Sequence, residues 1–135
     1  MAKQKFQTEL IPASQIKLNP NNPRLIKDEK FKQLVKSIQD KKKEYIITKQ
    51  LVRSGTSIGA NIREGNNAES KADFIHKLSI AQKECSETIY WLELLKETDY
   101  ISEKQFNSLN ADAIELIKLL TSILKSSKQN PIIKH

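Results

Sequence analysis

The chain has 135 residues, of which 38% are hydrophobic and 29% are charged, with three Gly, four Pro and one Cys. This length suits one compact domain with tails. The composition excludes a disulfide framework, a thiolate metal cluster and a loop-rich β fold. No apolar run reaches the ~20 residues of a membrane span, and the N-terminus lacks the apolar stretch of a signal peptide. We therefore expect a cytoplasmic protein with no membrane partner.

Positive charge is concentrated in the first third of the chain. The formal net charge is +7. Residues 1–43 hold eleven Lys or Arg against four Asp or Glu, whereas residues 44–135 hold twelve of each. A basic segment on a neutral body indicates contact with nucleic acid or another acidic surface. The alternative is a solvated face that only keeps the protein soluble.

Residues 1–27 are predicted to form an irregular basic arm. Pro12, Pro20 and Pro23 interrupt this segment, and the sequence NPNNP has the composition of turns. The first helix is predicted over residues 28–42. Its apolar residues share one face, and its acidic start and lysine-rich end suit the helix dipole.

The second helix is predicted over residues 44–64, with an apolar stripe that runs from Ile47 to Ile62. Gly55 and Gly59 lie four residues apart on a neighbouring face, among other small residues. Each glycine costs about 1 kcal/mol relative to Ala in a helix interior. Close approach of another helix backbone would offset that cost. The alternative is that the helix breaks at Gly55.

The third helix is predicted over residues 70–97, and Ser70 with Asp73 is typical of a helix start. Its seam repeats at steps of four and three, as in a bundle helix, through Phe74, Leu78, Ala81, Cys85, Thr88, Leu92 and Leu95. Further apolar residues lie on its flanks: Ile80, Trp91 and Leu94 on one side, and Ile75 and Ile89 on the other. This surplus predicts an interface with another copy of the chain at Ile80, Trp91 and Leu94.

The fourth helix is predicted to start at Ser102, which forms a capping box with Gln105. The three-four repeat continues from Phe106 and fades at Lys125. Short connections make consecutive helices antiparallel neighbours. We therefore predict an all-α fold, an antiparallel up-down-up-down four-helix bundle over residues 28–126. Residues 127–135 are predicted to be a disordered tail.

No pattern in the sequence indicates catalysis, a cofactor or a metal site. The two histidines, His76 and His135, have no nucleophile placed beside them, and the stretch SGTSIGA lacks the ending of a phosphate-binding loop. Cys85 lies on the seam and is expected to be a buried thiol. We predict a protein that is not an enzyme and needs no cofactor.

Three polar residues share one face of the second helix, namely Ser57, Asn61 and Glu64. We interpret them, with Ser70, as a structural motif that fixes the turn to the third helix. Glu64 lies at the negative end of the helix dipole, so backbone N–H groups of the third helix or a nearby Arg must compensate it. A binding or catalytic role for this set is the alternative.

The sequence QLVRSGTSIGANIREG (50–65), followed by SKADFIHKLSIA (70–81) and ETIYWLELL (87–95), resembles the 23S rRNA intervening-sequence proteins. The resemblance covers about residues 44–125. It implies a homopentameric ring of four-helix bundles without known enzymatic activity, some members being encoded inside ribosomal RNA genes. A related branch of the family comprises the accessory variability proteins of diversity-generating retroelements. The resemblance to this branch implies a basic bundle that binds nucleic acid and a reverse transcriptase.

The sequence IPASQIKLNPNNPR (11–24), followed by DEKFKQLVKSI (28–38), resembles the opening of a ParB-like domain. That resemblance stops near residue 40, and the Gly-Arg-rich nucleotide-binding motif of those domains is missing. We interpret the segment as a fragment whose helix serves as the first helix of the bundle. Nucleotide hydrolysis and site-specific DNA clamping are therefore not expected.

These features lead to a hypothesis of an oligomeric scaffold that contacts nucleic acid by salt-dependent phosphate binding, with RNA as the favoured ligand and DNA as the alternative. The residues predicted to bind are Lys41, Lys42, Lys43, Lys49, Arg53 and Arg63, with Arg24 and Lys27 behind them. The first alternative is an adaptor that binds a partner protein such as a reverse transcriptase. The second is an enzyme that uses Ser57, Asn61 and Glu64.

Overall fold

A computed structural model describes residues 29–129, and within this range the chain forms four α-helices and no strand. We number them α1 (Glu29–Lys42), α2 (Ile46–Asn66), α3 (Lys71–Glu97) and α4 (Glu103–Gln129). The predicted all-α fold is confirmed, and each helix begins within two residues of its predicted start. The basic arm and residues 130–135 lie outside the described range.

Side-chain contacts between α2 and α3 show that these two helices run antiparallel. Arg53 pairs with Glu84, and Glu64, about three turns further along α2, pairs with Lys77, which comes earlier in α3. The connection between them is short. These two helices therefore lie side by side over most of their length.

The remaining contacts close the bundle. Gln82 Nε2 on α3 donates to Thr121 Oγ1 on α4 at 2.9 Å. Lys30 Nζ at the start of α1 donates to Ser108 Oγ on α4 at 2.5 Å. α1 thus lies beside α4, and the order of the helices is up-down-up-down.

The core consists of two hydrophobic clusters along the bundle axis. One lies where the end of α2 meets the start of α3 and the second half of α4, and it includes Ile62, Phe74, Leu78 and Leu120. The other contains the apolar face of α1, packed on the start of α2, the end of α3 and the start of α4: Phe31, Leu34, Ile38, Leu51, Leu92, Leu95, Ile101, Phe106 and Leu109. At 1.5 Å per residue, α1 is about 21 Å long and α4 about 40 Å. α1 therefore covers only one half of the bundle.

The predicted starts of α3 and α4 are confirmed in atomic detail. Ser70 Oγ accepts a hydrogen bond from the backbone N–H of Asp73 at 3.0 Å. At α4, Ser102 Oγ accepts from the backbone N–H of Gln105 at 3.0 Å, and Gln105 Oε1 accepts from the backbone N–H of Ser102 at 2.8 Å. Each cap satisfies helix-end N–H groups that have no partner within the helix.

All three glycines of the chain lie within α2, which continues beyond its predicted end at residue 64. Gly55 and Gly59 are buried and α2 continues through both, so the proposed break at Gly55 is wrong. Gly65 lies just beyond the predicted end of the helix at residue 64, but it belongs to the last turn of α2 and is buried. A Cβ atom at Gly65 would lie 2.5 Å from Leu78 Cδ1, so this glycine lets α3 approach α2 closely. The turn follows it at Asn67.

The end of α4 also differs from the prediction. The helix continues to Gln129, beyond Lys125, where the apolar repeat fades. Ser127 is fully buried and donates a hydrogen bond to the carbonyl oxygen of Ile123 at 2.8 Å. Serine with a hydroxyl bonded back to the preceding turn can occupy a buried helix position without an unpaired polar group. A repeat of apolar residues alone does not reveal this.

Candidate nucleic-acid interface

The joint between α1 and α2 exposes three consecutive lysines, Lys41, Lys42 and Lys43, which we call the lysine corner. Lys43 has a φ of 54°, in the left-handed region, where the chain turns from one helix to the next. None of the three forms an ion pair with any other residue in 29–129. Their ammonium groups are therefore available to an external anion.

Glu44 anchors this corner to α2. Its carboxylate accepts hydrogen bonds from the backbone N–H groups of Ile46, Ile47 and Thr48, at 3.0, 2.8 and 2.9 Å. Thr48 Oγ1 also donates to the carbonyl oxygen of Glu44 at 2.8 Å. A buried carboxylate at the positive end of the helix dipole is favourable because the free N–H groups and the dipole both stabilise its charge.

This cap was not predicted, because Glu44 follows three lysines and falls within the helix predicted over residues 44–64. The signal that could have revealed it is an acidic residue directly before an apolar run, with Thr four residues on. The cap fixes the direction in which the chain leaves the lysine corner. It therefore makes the corner a defined surface rather than a loose loop.

Two further predicted cations, Lys49 and Arg63, lie on the exposed stripe of α2. Neither forms an ion pair with another residue of the described range. They are separated by 14 residues, or about 21 Å along the helix. Only Lys49 lies near the lysine corner, so the predicted cations do not form a single patch.

Arg53 is engaged within the bundle. Its guanidinium pairs with Glu84, Nη1 to Oε1 at 3.2 Å, and with Glu87, and its Nε donates to Gln50 Oε1 at 3.1 Å. The hydrogen bond with Glu87 is the main cause that raises the pKa of Arg53 above its usual range. The same Glu87 carboxylate accepts from Trp91 Nε1 at 2.9 Å. Arg53 therefore ties α2 to α3, and two carboxylates already balance its charge.

Ser57, Asn61 and Glu64 are only partly brought together. Asn61 Nδ2 donates to the carbonyl oxygen of Ser57 at 2.9 Å and to its Oγ at 3.1 Å, all within α2. Glu64 instead pairs with Lys77 Nζ on α3 at 2.8 Å. This contact raises the pKa of Lys77 and supplies the compensation that Glu64 needs at the end of α2. The partner is a lysine in the second turn of α3, not an arginine or a backbone N–H group.

The flank of α3 predicted as an interface is half-buried in the single chain, at Ile80, Trp91 and Leu94. Trp91 packs against the core cluster that contains α1, in addition to its hydrogen bond with Glu87. On the other flank, Ile75 and Ile89 pack against the other cluster.

Three large apolar side chains were not singled out by the sequence analysis, and they are well exposed: Tyr45, Ile46 and Tyr90. The Tyr90 ring meets the Trp91 ring edge to face, with centroids 4.9 Å apart.

The thiol and imidazole side chains of the described residues are Cys85, which is buried, and His76. Burial raises the pKa of the Cys85 thiol to about 11, and its Sγ donates to the carbonyl oxygen of Ala113 at 3.3 Å. His76 is exposed on α3.

Within residues 29–129, no three His, Cys, Asp or Glu side chains are arranged to hold a metal ion. No helix in this range has the length and hydrophobicity of a membrane span.

Comparison with known proteins places this bundle in a family. A crystal structure of a protein of unknown function from the S23 ribosomal protein family of Bacteroides thetaiotaomicron is 44% identical in sequence. It matches with a TM-score of 0.68 and covers 93% of this chain and 99% of that chain. No curated protein matches the chain. A family model described as 23S rRNA-intervening sequence protein matches residues 25–122.

The family match begins upstream of α1. α1 is therefore part of the bundle that the family shares, and the resemblance of 28–38 to a ParB-like domain does not set this helix apart. The ParB-like resemblance of residues 11–24 lies outside both the match and the described range and stays a prediction. The protein belongs to the 23S rRNA-intervening sequence protein family.

Proposed function

We propose that the protein is a non-enzymatic, cytoplasmic, homo-oligomeric scaffold, most simply a pentamer, that contacts RNA through the lysine corner. The observation that carries this proposal is the set of three adjacent, exposed and unpaired ammonium groups at Lys41–Lys43. They are held between two helices by the left-handed Lys43 and the buried Glu44 cap. A fixed cluster of charge loses less conformational freedom on binding than charge on a loose tail.

The chemistry of such a corner is contact with phosphate. Lysine is a flexible point charge, so it binds phosphate without the two-pronged geometry that Arg uses to recognise guanine. Binding therefore has little sequence preference and falls steeply with salt as counterions are released. Lys49 extends the corner along α2. In a ring, the corner is repeated in every copy, and weak contacts add by multivalency.

Arg53 and Arg63 have different places in this proposal. Arg53 is not expected to contact phosphate, because Glu84 and Glu87 hold its guanidinium. Arg63 lies about 21 Å from Lys49 and reaches nucleic acid only if the ligand crosses the whole face of α2.

Filter binding with single-stranded RNA, measured over a range of salt concentrations, tests the proposal. Changing Lys41, Lys42 and Lys43 together to Gln removes three phosphate contacts. The slope of log K against log salt should then fall by about 2. The matched control changes Lys118, Lys125 and Lys128, three exposed lysines of α4, to Gln, with the same loss of net charge. The control should keep most of the slope.

Equal slopes for the two triple variants would show that only total charge matters, and the lysine corner would then be no site. Absence of binding by the unmodified protein at low salt and micromolar concentration would remove the nucleic-acid function altogether.

Assembly is tested separately by light scattering. The expected mass is a multiple of 15.5 kDa, most simply fivefold. Trp91 is a poor probe because it also packs inside its own chain, so Ile80→Glu and Tyr90→Glu are preferred. Both place a charge in an apolar contact without removing core volume, and each should lower the mass while circular dichroism stays unchanged. A monomeric unmodified protein would contradict the scaffold.

A further inference from the structure

An open groove lies between α1 and α4, and neither the family nor the proposed function assigns it a role. A cleft of about 420 Å³ is lined by Lys30, Leu34 and Ser37 on α1 and by Lys104, Ser108 and Leu109 on α4. A second cleft of about 340 Å³ shares Leu34, Ser37 and Gln105 with it and continues to Lys42 and Tyr100. The shared lining makes the two clefts one continuous groove along the seam.

The groove combines an apolar floor with basic rims. Leu34 and Leu109 form the floor of the larger cleft, and Ser37 and Ser108 form its walls. Three cations line the edges: Lys30 and Lys104 at the larger cleft and Lys42 at the smaller one. Lys30 lies 3.8 Å from Asp112, and Asp99 lines the far end, so cations still exceed acids around the groove.

We propose that this groove binds an acidic amphipathic helix of a partner protein, which lies along the seam as a fifth helix. Lys30 and Lys42 are twelve residues apart on α1, so the groove is about 18 Å long. This length matches three turns of a helix. Apolar side chains at positions i, i+4 and i+7 of the partner rest on Leu34 and Leu109, and its carboxylates face Lys30, Lys104 and Lys42.

The lining favours a peptide over a nucleic acid. The larger cleft has no aromatic side chain on which a base could stack. Tyr100, in the smaller cleft, packs against the core cluster that contains α1. Phosphates would meet the lysine rims but leave the apolar floor uncovered. A helix with one apolar and one acidic face satisfies both parts of the groove.

Fluorescence anisotropy with the full-length protein tests this proposal. The probe is a labelled 12-residue peptide with Leu at positions i, i+4, i+7 and i+11. Its remaining positions are filled by Glu and Ala. A peptide of the same composition in scrambled order is the control. The ordered peptide should bind at least about tenfold more tightly, because only it presents an apolar face, and tenfold corresponds to 1.4 kcal/mol.

Two matched pairs of variants locate the binding. Ser37→Leu fills the groove and should weaken binding about tenfold, whereas Ser122→Leu, on the exposed face of α4, should not change it. Lys104→Glu reverses a rim charge and should weaken binding and reduce its salt dependence. Lys118→Glu makes the same charge change elsewhere on α4 and should have little effect.

The proposal is overturned if the scrambled peptide binds equally well, if the ordered peptide does not bind at millimolar concentration, or if both variants of a pair behave alike. Single-stranded RNA that competes for the groove, and whose own binding is lost in Ser37→Leu, would identify nucleic acid as the occupant instead. Because Lys104→Glu does not touch the core, a folding defect in Ser37→Leu would leave the test decisive.

Discussion

The α2–α3 seam and the α1–α4 seam are built on different principles. Between α2 and α3, Gly65 admits the side chain of Leu78, and polar ties cross the interface at Arg53 and Glu64. Between α1 and α4, apolar side chains of both helices share one core cluster, but the cross-helix polar contacts of the described residues centre on Lys30, which reaches Ser108 and Asp112. The first seam is closed along its length, whereas the second leaves a groove.

The difference follows from the residue types at each seam. Small residues let helix backbones approach, and every polar group that is then buried needs a partner. The α2–α3 seam provides such partners, as where Thr88 Oγ1 lies 2.8 Å from Ser54 Oγ in the buried interior. The α1–α4 seam instead carries the exposed side chains of Lys30 and Lys104 beside an open cleft. Stability is therefore concentrated in the first seam, and room for a ligand lies in the second.

Gly65→Leu should give the largest loss of stability, about 2–3 kcal/mol, because the new side chain collides with the fully buried Leu78. Ser37→Leu inserts the same side chain into the α1–α4 groove and should change stability by less than about 0.5 kcal/mol. Urea unfolding followed by circular dichroism measures both. Similar losses in the two variants would mean that the seams do not differ in packing.

Glu44→Ala should lower the free energy of unfolding by about 1–2 kcal/mol, since three backbone N–H groups at the start of α2 lose their acceptor. Glu44→Gln should recover part of this loss because its amide oxygen still accepts. Thermal melting provides the comparison. An unchanged melting temperature for Glu44→Ala would show that water replaces the cap without cost.

Arg53→Met tests the polar ties of the closed seam through pH. The hydrogen bond from Trp91 and the pairing with Arg53 lower the pKa of Glu87 below its usual 4.5. A carboxyl whose pKa is lowered on folding stabilises the fold above the unfolded-state pKa, and this stabilisation is lost as pH falls through the folded-state pKa. The unmodified protein should therefore lose stability on acidification below about pH 4.5.

In Arg53→Met this acid-dependent loss should be smaller, because the cation that favours the charged Glu87 carboxylate is gone. Melting temperatures from about pH 6 to about pH 3 record the two profiles. Lys49→Met, which removes a cation of α2 that has no ion pair in the described range, is the control and should keep the profile of the unmodified protein. If the melting temperatures of all three proteins depended on pH in the same way, the pairing of Arg53 with Glu87 would not contribute to the acid dependence.

Lys43→Gly should have the smallest effect, a gain of about 0.5–1 kcal/mol, because glycine adopts the φ of 54° without steric cost. Lys43→Ala should give no gain, since its Cβ keeps the strain. Asp99 has a φ of 64° at the α3–α4 joint, and Asp99→Gly should gain less because Asp tolerates this region better. Differential scanning calorimetry measures the change in stability of each of the three variants. A loss of stability in Lys43→Gly would show that the lysine side chain itself supports the joint.

The sequence by itself determined the number of helices, their order and most of their ends. The period of the apolar residues fixes which face of each helix is buried, and Ser70 and the Ser102–Gln105 pair make their caps from neighbours only a few residues away. Such local interactions can be predicted from the sequence because the residues that make them are close together in the chain. The exposure of the lysine corner follows for the same reason, because three adjacent lysines cannot all be buried.

Only the tertiary structure decided which residues meet across helices. Arg53 was predicted to bind phosphate, but Glu84 and Glu87, more than thirty residues away in sequence, hold it. Gly65 has the composition of a turn and serves instead as a packing site for Leu78. The groove between α1 and α4 is lined by residues of both helices, such as Ser37 on α1 and Ser108 on α4, so it exists only where the two helices meet. Helix periodicity specifies a buried face, whereas pairing between faces depends on the size and charge of partners distant in the chain.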